Sequence, residues 1–138
     1  MKVCPSCRAV CVDQHWMLEP ERRAFRKPET KESELCPGCE RVSRGRVDGI
    51  VRLRGDFLAR HKDEAKHLIN NIAQRKLQKN IAARICRFEE RDDEIVIETT
   101  DRTLAERLGK EFERAYSGKL DIKWQEKANF ARVYWQRD

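Results

Sequence analysis

Two pairs of cysteines near the start of the chain have the spacing of a metal site. The tetrapeptides at residues 4–7 (Cys-Pro-Ser-Cys) and 36–39 (Cys-Pro-Gly-Cys) each point two thiols at a common centre. Two such turns complete the tetrahedron of four sulfurs that zinc prefers. Proline fixes its own φ, and Gly38 tolerates a positive φ, so both residue types suit a tight turn. The pattern predicts a structural zinc ribbon with the ligands Cys4, Cys7, Cys36 and Cys39.

Two further side chains lie close to the first pair in sequence. Cys11 could replace one of the four ligands or act as a redox-active thiol, and His15 lies near enough to complicate the ligand set. The simpler interpretation is that Cys11 is an unligated small residue beside the ribbon. Whether Cys11 or His15 joins the metal site stays open at this point. Cys86 lies alone on a predicted strand and is expected to pack in the interior.

The length and composition of the chain limit its architecture. Its 138 residues are enough for a small metal-held module and a domain of about 90 residues. Apolar and charged residues each make up 39% of the sequence, so we expect a small core and a densely ionic surface. The first residues hold no apolar leader, and no stretch of about 18 apolar residues occurs. We therefore expect a cytoplasmic protein with reduced thiols that is neither secreted nor embedded in a membrane.

The prolines divide the chain into two parts. All four lie within the first 37 residues, and the composition changes near Gly49. This predicts a zinc ribbon over residues 1–49 and an α+β domain over 50–138. Between the cysteine pairs lies an insertion, about residues 12–35, whose middle mixes acids and bases with little apolar periodicity. We expect it to be an extended arm or mobile loop.

Periodicity after Gly49 predicts the order strand, helix, strand, strand, helix, strand. Apolar residues at three- and four-residue steps predict one long helix after Asp56, reaching Leu77, and a second that ends at Gly118. The order is that of the ferredoxin-like βαββαβ fold, here with an extra C-terminal strand. The predicted fold class is therefore α+β, with a zinc ribbon followed by a ferredoxin-like domain. Strands are predicted over about 50–54, 84–89, 94–99, 120–124 and 131–135.

Arginines near the cysteine pairs and on the first predicted strand favour a polyanionic partner. The formal charge is +6, and four thiolates with one zinc ion add −4 + 2 = −2, which leaves about +4. Arginines on a metal-rigid scaffold suit phosphate recognition, and those on the strand project from the sheet face opposite the helices. The alternative is that these arginines pair with neighbouring carboxylates. The predicted RNA contacts are Arg8, Arg41, Arg44, Arg46, Arg52 and Arg54.

The same strand residues indicate how RNA would be bound. RNA-recognition domains of this type of fold stack bases on aromatic side chains of the sheet. The first and third predicted strands instead present Arg52, Arg54, Val96 and Glu98. This departure argues against base stacking and favours electrostatic and shape recognition of folded RNA or of a ribosomal surface.

Catalysis finds little support in the sequence. It contains no glycine-rich phosphate loop and no serine-nucleophile elbow. His61 and His67 are six residues apart, which is not the four-residue step of a metal pair on a helix. His61 also falls on the apolar stripe, so a satisfied core histidine is expected. We expect neither an enzyme nor a small-molecule substrate.

The cysteine pairs, Arg41 and the strand at 50–54 together resemble the N-terminal zinc-binding part of the large-ribosomal-subunit export adaptor family, nonsense-mediated decay protein three. Residues 99–118 and 133–137 are similar to small bacterial proteins that share this zinc ribbon. The resemblance implies a zinc-dependent binder of the large ribosomal subunit or its RNA. Adaptors of that family are much longer and have further cysteine pairs and domains, so only the four metal ligands carry over residue by residue.

The sequence therefore predicts a cytoplasmic, zinc-dependent adaptor that binds RNA or a ribosomal particle and has no catalytic activity. The alternative is a protein–protein interaction module with a structural zinc, which docks a partner or forms a homodimer through the outer sheet face or an edge strand near Trp135. A third hypothesis is a thiol-based redox or zinc sensor that uses Cys11.

Overall fold

The computed structural model of the chain describes residues 2–18 and 32–138. A small sheet and a short helix form its N-terminal part. In the sheet, β1 (Lys2–Val3) pairs with β2 (Val10–Val12) in antiparallel orientation and with β4 (Glu32–Ser33) in parallel orientation, and β3 (His15–Met17) pairs with β2. The middle of the predicted insertion, residues 19–31, lies outside the described residues, while its two ends form β3 and β4. The elements are β1 (Lys2–Val3), β2 (Val10–Val12), β3 (His15–Met17), β4 (Glu32–Ser33) and α1 (Pro37–Ser43).

The rest of the chain forms a five-stranded mixed sheet with helices, and the α+β class is confirmed. The predicted strands are present, and helices occur in both predicted helical segments. Within the described residues, no helix is both long and apolar enough to cross a membrane. The elements are β5 (Gly49–Arg54), α2 (Asp56–Arg60), α3 (Lys62–Lys79), β6 (Ile85–Glu90), β7 (Glu94–Thr99), α4 (Arg102–Tyr116), β8 (Lys119–Gln125), a 3-10 turn (Glu126–Ala128) and β9 (Phe130–Gln136).

The long helix predicted after Asp56 is two helices, because the chain leaves the helical conformation at His61, with φ −125° and ψ 34°. Two contacts fix α2 to the end of the last strand. The Phe57 N–H donates to the Arg137 carbonyl at 3.2 Å, and the Arg137 guanidinium lies 4.1 Å from the centroid of the Phe57 ring. The His61 ring stacks on Phe57 at a centroid distance of 4.3 Å and stays partly exposed. His61 is therefore not the core histidine that the sequence predicts.

The order of the strands in the large sheet is β6-β7-β5-β9-β8, and the specific ferredoxin-like topology is not confirmed. The fifth strand, β9, lies parallel to β5 in the interior of the sheet, and the fourth strand, β8, forms the edge. The inward side chains of β9, such as Val133 and Trp135, are almost fully buried, whereas Trp124 on β8 is 52% exposed. The inward residues of β9 are therefore covered on both sides by paired strands, whereas those of β8 lie at an edge of the sheet.

One face of the large sheet packs against α3 and α4 to form the core. Residues that alternate along the strands point into it, and the helices contribute one apolar stripe each. The side chains between them point to the opposite face, which we call the outer face. Those of β8 and most of those of β9 are exposed there. The largest core residues are Leu53, Leu58, Ile72, Ile95, Ile97, Leu104, Leu108, Phe112 and Trp135.

Candidate metal centre

The four predicted ligands come together in one cluster. The sulfur atoms of Cys4, Cys7, Cys36 and Cys39 all lie within 4.8 Å of one another, and those of Cys7 and Cys36 are 3.6 Å apart. Sulfurs bound to one tetrahedral zinc ion at about 2.3 Å lie roughly 3.8 Å from each other. The cluster therefore has the size and the donor chemistry to hold one metal ion. It is the single group of this kind in the described part of the chain.

The first cysteine pair sits in a turn that backbone hydrogen bonds close. The Cys4 N–H donates to the Ala9 carbonyl at 2.8 Å, and the Arg8 N–H donates to the Cys4 carbonyl at 2.9 Å. Arg8 has a φ of +64°, so the chain reverses there and enters β2. This reversal leaves the sulfurs of Cys4 and Cys7 on the inner side of the turn.

The second pair lies at the start of α1. Cys36 is the N-cap of this helix, and its sulfur accepts a hydrogen bond from the Cys39 N–H at 3.4 Å. Pro37 occupies the first helical turn, where no intrahelical N–H bond is lost. Gly38 lies in the helix and does not need the positive φ expected of it. A Cβ on Gly38 would lie 2.3 Å from the Ile81 carbonyl oxygen, so the requirement for glycine is close packing.

Arg84 connects the ligand cluster to the large sheet. Its Nη2 group donates to the sulfurs of Cys36 at 3.4 Å and Cys7 at 3.6 Å, and its Nε donates to the Ile81 carbonyl at 2.9 Å. Four thiolates around a divalent ion carry a charge of about −2, which a guanidinium partly offsets. Sequence analysis missed Arg84, because no spacing rule links it to a cysteine pair 45 residues earlier.

The protein environment shifts the pKa values of the clustered thiols in different directions. Burial disfavours the Cys4 thiolate, but N–H groups of Cys36, Cys7 and Ser6 donate to it and lower its pKa to about 6. Burial raises the pKa of Cys36 to about 12, and it also raises the pKa of Cys39. A metal ion that binds here must therefore displace protons from Cys36 and Cys39.

The remaining cysteines lie apart from this cluster. Neither Cys11 nor His15 belongs to the four-ligand group. Cys11 is buried in β2 between Lys2 and Trp16 of the neighbouring strands, whereas His15 is exposed in β3. Cys86 is half-buried in β6, and its thiol donates to the Glu98 carbonyl at 3.3 Å. All six cysteines are free of disulfide bonds.

Four of the arginines predicted to contact RNA bind within the protein. Arg41 donates to the Thr100 carbonyl at 3.1 Å, and Arg44 pairs with Glu40 at 2.9 Å. Three hydrogen bonds of 2.9 to 3.2 Å join Arg46 to Asp48, and Arg54 pairs with Glu94 at 3.3 Å. Arg8 and Arg52 are exposed, and we find no ion pair for either among the described residues. The structure brings three of the six together, since one surface depression is lined by Pro37, Glu40, Arg41, Arg44 and Arg46.

A second cationic surface, which sequence analysis did not identify, lies in the groove between α3 and α4. Glu111 lies within it, 3.9 Å from Arg75 and 3.8 Å from Arg107. Each helix alone has an ordinary mixed-charge face, so only the packing of the two helices reveals the groove. We call it the helical groove, and its cations are Arg75, Lys76, Lys79, Arg107, Lys110 and Arg114.

Comparisons with known proteins find no protein family, no curated protein and no solved structure that matches this chain. The resemblance to the export adaptor family therefore stays a prediction.

Proposed function

We propose that this protein is an RNA-binding module in which a zinc ion holds the N-terminal ribbon together. The four-thiolate donor set suits zinc, and a site closed by four protein sulfurs has no position for a substrate water. The metal's proposed role is therefore structural, and the protein's proposed role is binding and not catalysis. Following the resemblance, we propose that the RNA belongs to the large ribosomal subunit.

The observation that carries this proposal is the depression beside α1, where Arg41, Arg44 and Arg46 meet. Two of these side chains are already ordered by bonds to Thr100 and Asp48. A guanidinium has five N–H donors, so each retains donors for a phosphate after making these bonds. Ordered arginines lose little side-chain entropy when they bind a phosphate, which makes this surface suited to an RNA backbone.

The metal supports this surface through the position of α1. Cys36 and Cys39 begin the helix, and Arg41 and Arg44 follow within its next two turns. Metal binding fixes the start of the helix and therefore the directions in which these arginines point. Loss of the metal should weaken RNA binding even though no RNA group contacts the ion.

The proposal is tested by co-sedimentation of the zinc-loaded protein with ribosomal subunits from a cell lysate, at about 50 and 200 mM salt. We expect it to travel with one subunit at low salt and to bind much less at high salt, because three phosphate contacts should lower affinity roughly 20-fold over this range. Arg44→Gln, which removes one guanidinium from the depression, should bind more weakly, with a salt slope lower by roughly 0.7 for the lost phosphate contact.

The matched control is Arg60→Gln, an exposed arginine on α2 away from the ribbon. It should leave both affinity and salt slope unchanged. Protein that stays at the top of the gradient at both salt concentrations, and that fails to bind purified ribosomal RNA, would contradict the proposal. A stable dimer under those conditions would favour the protein–protein module.

A further inference from the structure

The outer face of the large sheet carries aromatic side chains that were not predicted from the sequence to lie there. β9 lies directly beside β5, so Tyr134 is opposite Arg52 and Arg132 is opposite Ile50. Tyr134 is 37% exposed, and Phe130 at the start of the same strand is partly exposed. The prediction against base stacking considered only the first and third strands. It omitted the aromatic residues that β9 brings to the same face.

Cations surround these two rings. The ammonium of Lys123 lies 5.9 Å from the centroid of the Tyr134 ring, and the guanidinium of Arg132 lies 5.2 Å from that of Phe130. Arg52, next to Tyr134, is exposed and has no ion-pair partner in the part of the chain that the structure describes. Arginine and lysine beside exposed aromatic rings are typical of surfaces that bind single-stranded nucleic acid.

Charge on the outer face is strongly asymmetric. On the β6–β7 side, the carboxylates of Glu89 and Glu98 flank Arg87. On the β5–β9–β8 side, cations outnumber carboxylates five to one, and the aromatic rings lie on this side. Arg54 pairs with Glu94 of β7 at 3.3 Å, and Lys123 lies 4.0 Å from Asp121 with both side chains exposed. The charged residues of this side are Arg52, Arg54, Lys119, Lys123 and Arg132, with Asp121 as the carboxylate.

We propose that the β5–β9–β8 side of the outer face binds single-stranded RNA. One base stacks on the Tyr134 ring, and the neighbouring phosphates bind Arg52, Arg132 and Lys123. This inference rests on the proposed function and extends it by naming the form of RNA and the surface that reads it. A duplex hides the faces of its bases, so a stacking surface selects unpaired segments.

The same charges argue against a second copy of the chain as the occupant. In a two-fold symmetric dimer the same patch lies on both sides of the interface, and here each copy would bring five cations and one carboxylate. Like charges facing each other disfavour that contact, whereas an RNA backbone supplies the opposite charge.

The test is fluorescence anisotropy with a labelled single-stranded RNA of about 8 nucleotides and a blunt duplex of about 16 base pairs. We expect the single strand to bind more tightly. Tyr134→Ala should weaken its binding by roughly ten-fold, because stacking on one ring contributes about that factor. Tyr134→Phe keeps the ring and should bind like the unmodified protein.

The matched control is Trp124→Ala, because Trp124 is also an exposed aromatic residue but lies on the helix side of β8. The affinity of Trp124→Ala for the single-stranded RNA should stay within about two-fold of that of the unmodified protein, because this change removes no stacking contact. Arg52→Gln should lower the salt slope by roughly 0.7, whereas Tyr134→Ala should leave the slope unchanged. Thermal melting checks that each variant is folded.

Each outcome separates the two proposals. Equal affinities of Tyr134→Ala and Trp124→Ala, with weaker binding in Arg44→Gln, would overturn the sheet-face site and leave the proposed function standing. If Lys110→Glu abolishes RNA binding and Tyr134→Ala leaves it unchanged, the RNA binds in the helical groove. That result would also overturn the sheet-face site. A failure of the unmodified protein to bind either of these RNAs would overturn the sheet-face site, and the proposed function would fall with it only if the protein also failed to co-sediment with ribosomal subunits.

Discussion

The Nη2 group of Arg84 lies 3.4 Å from the sulfur of Cys36, which joins the loop before β6 to the start of the metal-site helix α1. The contact is long-range, since 48 residues separate Arg84 from Cys36 in the sequence. The backbone of Arg84 is also held at the end of β7, because its N–H donates to the hydroxyl of Thr100 at 2.8 Å. The four-cysteine cluster is therefore held by hydrogen bonds to the α+β unit as well as by its own turns.

Replacing Arg84 should weaken metal binding. In Arg84→Gln the sulfurs of Cys7 and Cys36 lose a charged hydrogen-bond donor, and loss of such an outer partner lowers metal affinity on the order of ten-fold. Competition with a chromophoric zinc chelator measures this change. Arg87→Gln is a suitable control, since Arg87 is exposed on β6 and pairs with Glu89. Equal zinc affinities for the two variants would show that Arg84 contributes nothing to the metal site.

Removing one ligand should affect the ribbon and spare the large sheet. Cys36→Ser leaves three thiolates and removes the sulfur that caps α1. Metal binding can contribute on the order of 10 kcal/mol to the folding of such a module, so we expect loss of bound zinc and disorder of the ribbon. Far-UV circular dichroism should still show the signal of α3 and α4.

The control for that experiment is Cys86→Ser, which changes a thiol outside the ligand cluster and keeps a donor for the Glu98 carbonyl. Elemental analysis should find about one zinc ion per chain in this variant. Full zinc content in Cys36→Ser would rule out Cys36 as a ligand.

A methyl group at Gly38 should destabilise the protein. Its Cβ would lie 2.3 Å from the Ile81 carbonyl oxygen and 2.5 Å from Nε of Arg84. Relieving this overlap must move α1 away from the loop that carries Arg84, at a cost of about 1–3 kcal/mol. Thermal melting of zinc-loaded Gly38→Ala measures it. Gly45→Asn provides the comparison, because Gly45 has a φ of +69° with nothing within 4 Å and asparagine tolerates that conformation. Equal melting temperatures for the two variants would contradict the packing requirement.

Metal affinity should rise with pH. Burial raises the pKa of Cys36 to about 12 and raises that of Cys39, so both thiols keep their protons near neutral pH when no metal is bound. Zinc must displace at least these two protons, and apparent affinity should therefore increase by at least about 100-fold per pH unit near neutrality. Cys4, with a pKa of about 6, is already ionised at neutral pH and adds a further proton only in more acidic solution.

The measurement is chelator competition at several pH values from about 5.5 to 8, with the known proton affinity of the chelator subtracted. The plot of log affinity against pH should steepen below about pH 6, where Cys4 becomes protonated. A pH-independent affinity would show that the metal-free cluster already holds all of its thiols as thiolates.

Much of the fold was predictable because its signals are local. The clustering of the four cysteines was predicted from two tetrapeptides, and period-two alternation located the five strands of the large sheet. The place of β9 was not predictable, because strand order depends on how Val133 and Trp135 are buried relative to the side chains of β8. The break at His61 also depends on a distant partner, since Arg137 holds the helix that precedes it.

Some of the candidate functional residues were likewise predictable from the sequence, and others were revealed only by the structure. Arg44 and Arg46 could be proposed from their closeness to a cysteine pair, but their bonds to Glu40 and Asp48 appear only in three dimensions. Tyr134 could not be assigned to the face of Arg52, because that required the register between β5 and β9. No sequence pattern indicated Arg84, since its partners are thiols from another part of the chain.

The parallel pairing of β5 with β9 also sets an order for folding. Gly49 pairs with Ala131, so this central contact forms only after a loop of about 80 residues has closed, which is slow. The metal ligands, in contrast, all lie within the first 39 residues. Stopped-flow refolding should therefore show metal uptake before burial of Trp135. A nascent chain could then bind the proposed zinc ion before β9 has paired with β5.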